Sequence, residues 1–172
     1  MSNTRTPMFT SQIFRRALAY FPTGVSVVAA WDGDGAPIGV TVNSFSSVSL
    51  EPPLVSVNLA KSLRSFPNFE KASHFSINIL GQDQHEISSI FARAGDDKWA
   101  NIKPHRGPAG SPLIRPNLAA FECESYARHE GGDHVIFVGR VVHIEANDNI
   151  DPLVFFRSSY RRLSNEVLAA CK

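Results

Sequence analysis

A mainly β fold with helical additions (α+β), its antiparallel strands curled into a barrel-like sheet, is what the sequence predicts, and three observations carry it. Apolar residues alternate with period two in short runs such as Phe75, Ile77 and Ile79, the pattern of a strand with one face in a core. Turn signals join neighbouring runs: Asp32-Gly33-Asp34-Gly35 and Gly131-Gly132-Asp133 both sit between extended segments. Stretches with helical spacing are short and lie between and around roughly six or seven strands.

Taken along the chain, residues 11–20 form the first helix, with Ile13, Phe14, Ala17, Leu18 and then Phe21 at helical spacing and Thr10 or Ser11 as its cap. Pro22-Thr23-Gly24 ends it. Residues 25–31 read as a buried strand that returns through the Asp-Gly turn into 38–42 and on to Leu50. Hydroxyls fall on both faces of that second run, so a bend or bulge is expected near Ser44. Another strand spans 54–59, followed by the corner Ala60-Lys61-Ser62. A short helix at 67–72, the alternating strand at 75–79 and a helix at 83–94 come next, the last with Ile87, Ile90 and Phe91 on one stripe. Between 95 and 116 lie four prolines and three glycines, which predicts an irregular loop of a length that is often functional. Strands at 121–128 and 134–144, a short strand at 153–156 and a terminal helix at 164–170 complete the chain.

The 172 residues are expected to form one domain, 1–172, with its core in roughly 10–163. Apolar content of 43% and charged content of 19% suit a water-exposed globular surface around a sizeable core. No apolar run approaches the roughly 20 residues that span a bilayer, and the N-terminal segment lacks the apolar core of a secretory signal, so no membrane and a cytoplasmic location are expected. A net charge of +1 argues against nucleic acid. Cys123 and Cys171 offer neither a disulfide framework nor a zinc spacing. His129 and His134 flank Glu130 and Asp133 across a turn without a third strong ligand, so no metal is expected there.

The chemistry concentrates in residues 39–65, where Thr41, Asn43, Ser44, Ser46, Ser47, Ser49, Ser56, Asn58, Ser62 and Ser65 sit among strand-forming valines and leucines. Buried hydroxyls cost free energy unless paired. Such a dense set suggests a surface that meets a flat, polar, phosphorylated ligand. Glycine-rich dinucleotide and Walker phosphate loops are missing, as are a nucleophile elbow and a zinc-protease helix motif.

FPTGV at 21–25, TVNSFSSVSLEPPLV at 41–55, NLAKS at 58–62, GDH at 132–134 and FFRSSYR at 155–161 together resemble the flavin reductase family of two-component flavin monooxygenases, over roughly residues 10–163. The resemblance implies an FMN-binding split β-barrel that acts as an NAD(P)H:flavin oxidoreductase. FMN or FAD is then the flavin and NADH or NADPH the co-substrate. Hydride would pass from nicotinamide C4 to flavin N5 at about 3–3.5 Å, and the reduced flavin would go to a separate oxygenase. It also implies a homodimer with flavin near the subunit interface.

For the flavin, the resemblance designates Thr23, Gly24, Thr41, Asn43, Ser44, Ser46, Ser47, Asn58, Lys61 and Ser62. Short donors and acceptors at Thr23, Thr41, Asn43 and Ser44 suit the ring edge, and Gly24 is free to adopt positive φ. Ser46, Ser47 and Ser62 suit the phosphate, with Lys61 or Arg64 as charge partners. His134, Arg157 and Tyr160 are the nicotinamide-side candidates, with Asp133 fixing the tautomer of His134. No catalytic acid or base is required, and His134 has an assisting role. Phe91, Lys98 and Trp99 are expected to close over the flavin, from the same or a second subunit. Two alternatives share the barrel: a pyridoxamine-phosphate-oxidase-like FMN oxidase and a non-catalytic flavin- or haem-binding protein.

Overall fold

The computed structural model of the chain describes residues 8–95 and 97–164. Its elements are α1 (Ser11–Leu18), β1 (Thr23–Gly24), β2 (Ser26–Trp31), β3 (Pro37–Val42), β4 (Ser46–Leu50), β5 (Pro53–Ala60), α2 (Phe66–Lys71) and β6 (His74–Ile79). They continue with α3 (His85–Ala92), β7 (His105–Arg106), β8 (Pro112–Leu113), β9 (Ala119–Gly131), β10 (His134–Ala146), β11 (Val154–Phe156) and β12 (Ser159–Arg161). The helix expected at 164–170 lies almost wholly outside the described residues, as does Cys171.

Seven antiparallel strands make the main sheet in the order β3-β2-β6-β9-β10-β5-β4. Its two edges, β3 and β4, are consecutive in sequence. Residues 43–45 therefore link one edge to the other, and the Oγ of Ser44 accepts from the backbone N–H of Asn58 on β5 at 2.9 Å. This link curls the sheet into a barrel. The polar tract is thus not one bent strand: the chain leaves the sheet after Val42 and re-enters at Ser46, with a register shift between Ser47 and Ser49.

Val28, Ala30, Val40, Val55, Val57, Leu59, Phe75, Ile77, Val135 and Phe137 fill the barrel. These are the inward members of alternating runs. Gly139 on β10 faces this core where only a hydrogen fits, since a Cβ there would lie 2.6 Å from the Phe75 ring and 2.7 Å from Cβ of Cys123. A second apolar cluster (Val25, Val27, Leu80, Phe91, Ile114, Leu153) packs under α3. β9 and β10 reach 13 residues each, longer than their alternation predicts, because two register shifts let the ribbon bend past the barrel wall.

The expected irregular loop at 95–116 contains the β7–β8 hairpin and is fastened from below. Glu122, fully buried on β9, accepts from the N–H groups of Ala109 (3.0 Å) and Ser111 (2.8 Å). Buried Asn78 accepts from the N–H of Ile114 at 2.9 Å and donates to the carbonyl of Val27 at 3.2 Å. Leu113 and Ile114 are fully buried. The segment therefore seals the second cluster.

Candidate functional site

The sequence candidates fall into three linked places. First is an apolar cavity of about 210 Å³ lined by Val25, Thr41, Asn43, Ser88, Phe155 and Tyr160, with Val42 and Ala92. The Tyr160 hydroxyl shares a 2.8 Å hydrogen bond with Oγ of buried Ser88, and its ring meets Phe155 edge-on at 5.7 Å. Thr41 donates its hydroxyl to the carbonyl of Ser88 at 2.7 Å. Thr23, on β1, pairs in register with Phe155, so it adjoins the same wall. Its Oγ1 is buried with no hydrogen-bond partner.

Gly24 does not use the freedom expected of it. It sits in β1 opposite Val154, outside the glycines with positive φ. What it leaves is space, since a Cβ built there would meet nothing within 4 Å. Gly132 of the GDH turn takes the left-handed conformation instead, at φ +76°.

The second place is the outer face of β5 and its neighbours. Val55, Val57 and Leu59 point into the barrel, so Ser56, Asn58 and Ala60 point out. Ser46 opposes Ser56, and His134 opposes Ala60. Ser46, Asn58 and His134 therefore share one face. Ser47 opposes Val55 and projects to the other side of its strand, so the two serines do not act as a pair.

Third is the corner where Lys61 meets the GDH turn. The backbone N–H of Lys61 donates to the carbonyl of Asp133 at 3.0 Å. Its ammonium donates to the carbonyl of Gly132 at 2.8 Å and to the Glu130 carboxylate. Lys61 thus staples the GDH turn to the serine corner, and Glu130 offsets its charge. Ser62 and Arg64 are exposed there. His134 contacts the Asp133 carboxylate through Nδ1 at 2.7 Å, leaving Nε2 for a ligand. That hydrogen bond to His134, helped by its charge and by that of Arg15, holds the Asp133 carboxyl below the usual carboxylate range. Among the described residues no cluster of three metal-ligating side chains occurs.

Arg157 lies at the tip of the β11–β12 hairpin. Its backbone N–H donates to the carbonyl of Ala19 at 2.9 Å, and its guanidinium stacks over Tyr20 at 4.8 Å and Phe156 at 5.1 Å.

Within their own chain, Phe91, Lys98 and Trp99 do not line the apolar cavity. Phe91 is fully buried, meets Trp99 edge-on at 4.8 Å, and lies where a Cβ on Gly39 would be 2.5 Å from its ring. The Lys98 ammonium donates to the carbonyls of Phe91 (2.9 Å) and Gly39 (3.2 Å), and burial pushes its pKa down. An amphipathic pattern alone does not distinguish a lid from a core helix.

Ser88 and Phe155 line the cavity and were not singled out from the sequence. Ser88 carried one signal, a hydroxyl one position from Ile87 on a helix whose apolar stripe is buried.

The profile described as "Flavin reductase like domain" matches residues 18–164. The FMN reductase (NADH) SmoA of Agrobacterium fabrum is 45% identical over 159 residues, covering 91% of this chain and 88% of that protein. A probable flavin reductase of Rhizobium meliloti is 41% identical over 165 residues, covering 95% of this chain and 53% of that one. A trigonelline monooxygenase reductase component of Acinetobacter baylyi is similarly matched, so the chain spans about half the length of these two relatives. Among solved structures, the NADH:FAD oxidoreductase SgcE6 of Streptomyces globisporus in complex with NAD and FAD fragments superposes with TM-score 0.86 at 30% identity, covering 94% of this chain and 99% of that one.

Proposed function

Because this chain belongs to the flavin reductase like domain family, we propose that it is an NAD(P)H-dependent flavin reductase supplying reduced FMN or FAD to a separate monooxygenase component. The observation that carries the site is the buried, unpartnered Oγ1 of Thr23 beside an apolar, aromatic-walled cavity. A hydroxyl so placed costs free energy until a ligand pairs with it. At about 210 Å³ the cavity is smaller than the roughly 300–1,000 Å³ of a full ligand site. It therefore takes one edge of a ring system, the remainder lying across the exposed face of Ser46 and Asn58.

The residues present fit a flavin. Thr23 and Asn43 would hydrogen-bond the polar edge of the ring, and Val25, Phe155 and Tyr160 would exclude water from it. Thr41 holds α3 in place through Ser88. Ser46 and Ser62 would hold the phosphate, with the charge of Lys61 weakened by Glu130 and Arg64 beside them; Ser47, on the opposite face of its strand, would not join them. Moderate phosphate affinity suits a flavin that is handed on, because neutral hydrogen bonds are roughly half as strong as charge-assisted ones. Bound flavin would supply the two-electron acceptor that this chain's side chains lack. His134, oriented by Asp133, would hold the nicotinamide carboxamide or a phosphate from Nε2. The relatives' names support the oxygenase partner: they include the reductase components of a trigonelline and a 4-nitrophenol monooxygenase and HsaB, the reductase subunit of a flavin-dependent monooxygenase.

A homodimer is part of the proposal. α1 has no buried residue, and Ile13 (58% exposed), Phe14, Leu18, Phe9 and Phe21 leave an apolar surface uncovered. A second copy covering it would follow the rule that such patches mark interfaces. A chain using NADH would act in the cytoplasm; no described helix is long and apolar enough to cross a membrane.

Purified protein with NADH or NADPH and excess FMN or FAD should oxidise the nicotinamide over many turnovers per subunit. No turnover with any of the four pairings overturns the assignment. Tightly held yellow flavin with little NADH oxidation would instead favour an FMN oxidase.

A further inference from the structure

Three arginines from distant parts of the chain line one open cavity of about 430 Å³. Arg15 and Arg16 come from the last turn of α1, and Arg157 with Ser158 comes from the tip of the β11–β12 hairpin. No described carboxylate forms an ion pair with any of the three. In a chain of net charge +1 this is a local concentration of positive charge.

Two features set it apart from a solvated basic surface. Arg157 and Ser158 have φ of 49° and 59°, the left-handed conformation at both central positions of a two-residue hairpin. That turn ordinarily takes Asn-Gly or Gly-Gly, and side-chain-bearing residues there are strained. Arg157 is also immobilised by its rings on one side and by its N–H bond to Ala19 on the other. A favourable meeting with the dipole of α1 explains Arg15 and Arg16 alone. It does not explain why a strained turn presents a third guanidinium to the same space.

The hairpin also joins this cavity to the site described above. Phe155 and Tyr160 line the apolar cavity, and Arg157 and Ser158 line the arginine cavity. Phe155 lies two residues before Arg157 on one arm of the hairpin and Tyr160 two residues after Ser158 on the other, so at roughly 3.3 Å per strand residue the two cavities are roughly 7 Å apart along it. Asp133, the neighbour of His134, lies within the field of Arg15. With its nicotinamide against Tyr160, a dinucleotide would reach the three guanidiniums along the same hairpin.

Building on the flavin reductase assignment, we propose that Arg15, Arg16 and Arg157 form a phosphoryl-binding cradle for the adenylyl half of the nicotinamide dinucleotide. Planar guanidinium forks match phosphate oxygens in bidentate geometry. The shared chemistry is a phosphate dianion or diphosphate, drawn either from the bridging diphosphate or from the 2′-phosphate that distinguishes NADPH from NADH.

The test is calorimetric titration of ADP-ribose and of 2′-phospho-ADP-ribose, neither of which needs turnover to be read. Wild type should bind, and Arg15→Gln/Arg16→Gln should bind about tenfold or more weakly, the loss expected for charge-assisted pairs. FMN affinity, followed by quenching of flavin fluorescence, should stay within about twofold. An equal loss for both ligands assigns the diphosphate; a loss confined to the 2′-phosphorylated one assigns the 2′-phosphate. Arg157→Lys keeps the charge but loses the fork, and should weaken binding about threefold; it serves as the second variant if the double variant misfolds. ADP-ribose binding that is absent in wild type, or unchanged in both variants, overturns the cradle, as does a loss of FAD affinity with ADP-ribose binding intact. Failure of the reductase assignment shows separately, as wild-type protein that does not oxidise NADH.

Discussion

Two sides of the barrel treat buried polar groups in opposite ways. Beneath the 95–116 segment, Ser76, Asn78 and Glu122 are fully buried and each finds a partner within the chain. Next to the apolar cavity, Thr23 is buried at its hydroxyl and finds none. The same kinds of side chain therefore do different things: on the first side they terminate the protein's own backbone, and on the second a buried hydroxyl has no partner in the chain. Trp99, Ser111 and Ser125 also carry unpaired buried atoms. Of the four, Thr23 alone pairs in register with a residue that lines the cavity, Phe155.

The sealed side should break hardest. Glu122→Ala leaves the N–H groups of Ala109 and Ser111 without acceptors, at about 1–3 kcal/mol each. At roughly 2–4 °C per kcal/mol for a chain of this size, Tm should fall by roughly 5–20 °C. A Tm within about 2 °C of wild type would show that these bonds do not fasten the segment. Gly39→Ala is the next test. Its Cβ would lie 2.5 Å from Cε1 of Phe91, and overpacking of this kind costs about 1–3 kcal/mol. Unchanged stability would mean that α3 shifts freely over β3.

The open side should show the reverse sign. Thr23→Val keeps the shape and deletes a hydroxyl that has no partner. Stability should stay level or rise by up to about 1 kcal/mol, while flavin affinity falls about fivefold to tenfold. Chemical denaturation and flavin-fluorescence titration of the same protein check both halves. Equal flavin affinity in the two proteins would leave Thr23 outside the ligand's reach.

This contrast bears on what the sequence made legible. Period-two alternation in Phe75, Ile77 and Ile79 and the paired turn signals were enough for the antiparallel barrel, because each run needs only one face buried. The break at 43–45 was visible as hydroxyls on both faces, but not as barrel closure. Closure depends on Ser44 meeting Asn58, a contact 14 residues away that no local pattern encodes. The 95–116 segment misled for a related reason. Its prolines and glycines describe local irregularity, whereas its burial is imposed by Asn78 and Glu122 from other strands. The site candidates were legible only as a set. Thr41 and Tyr160 do line one cavity, but Lys61 is held by Glu130.

The smallest expected effect lies on the open side, at the pair Asp133 and His134. Asp133 is 93% exposed and touches Nδ1 of His134 at 2.7 Å, and that hydrogen bond lowers its pKa. A carboxylate with a depressed folded pKa stabilises the protein above its unfolded value, about 3.9. The contribution is lost as pH falls through the lower folded value. Asp133→Asn should therefore show a slightly lower Tm than wild type near pH 7, with a gap that closes as pH falls below the unfolded value. Solvent screening at so exposed a pair keeps the gap small. The KM for NADH should rise a few-fold, about threefold, because the imidazole loses the carboxylate that orients Nε2. A Tm gap that stays constant from about pH 7 to pH 3 would place the stabilisation elsewhere than in this carboxylate. An unchanged KM would mean that His134 needs no orienting partner, and the open side would then rest on Thr23 and the arginines alone.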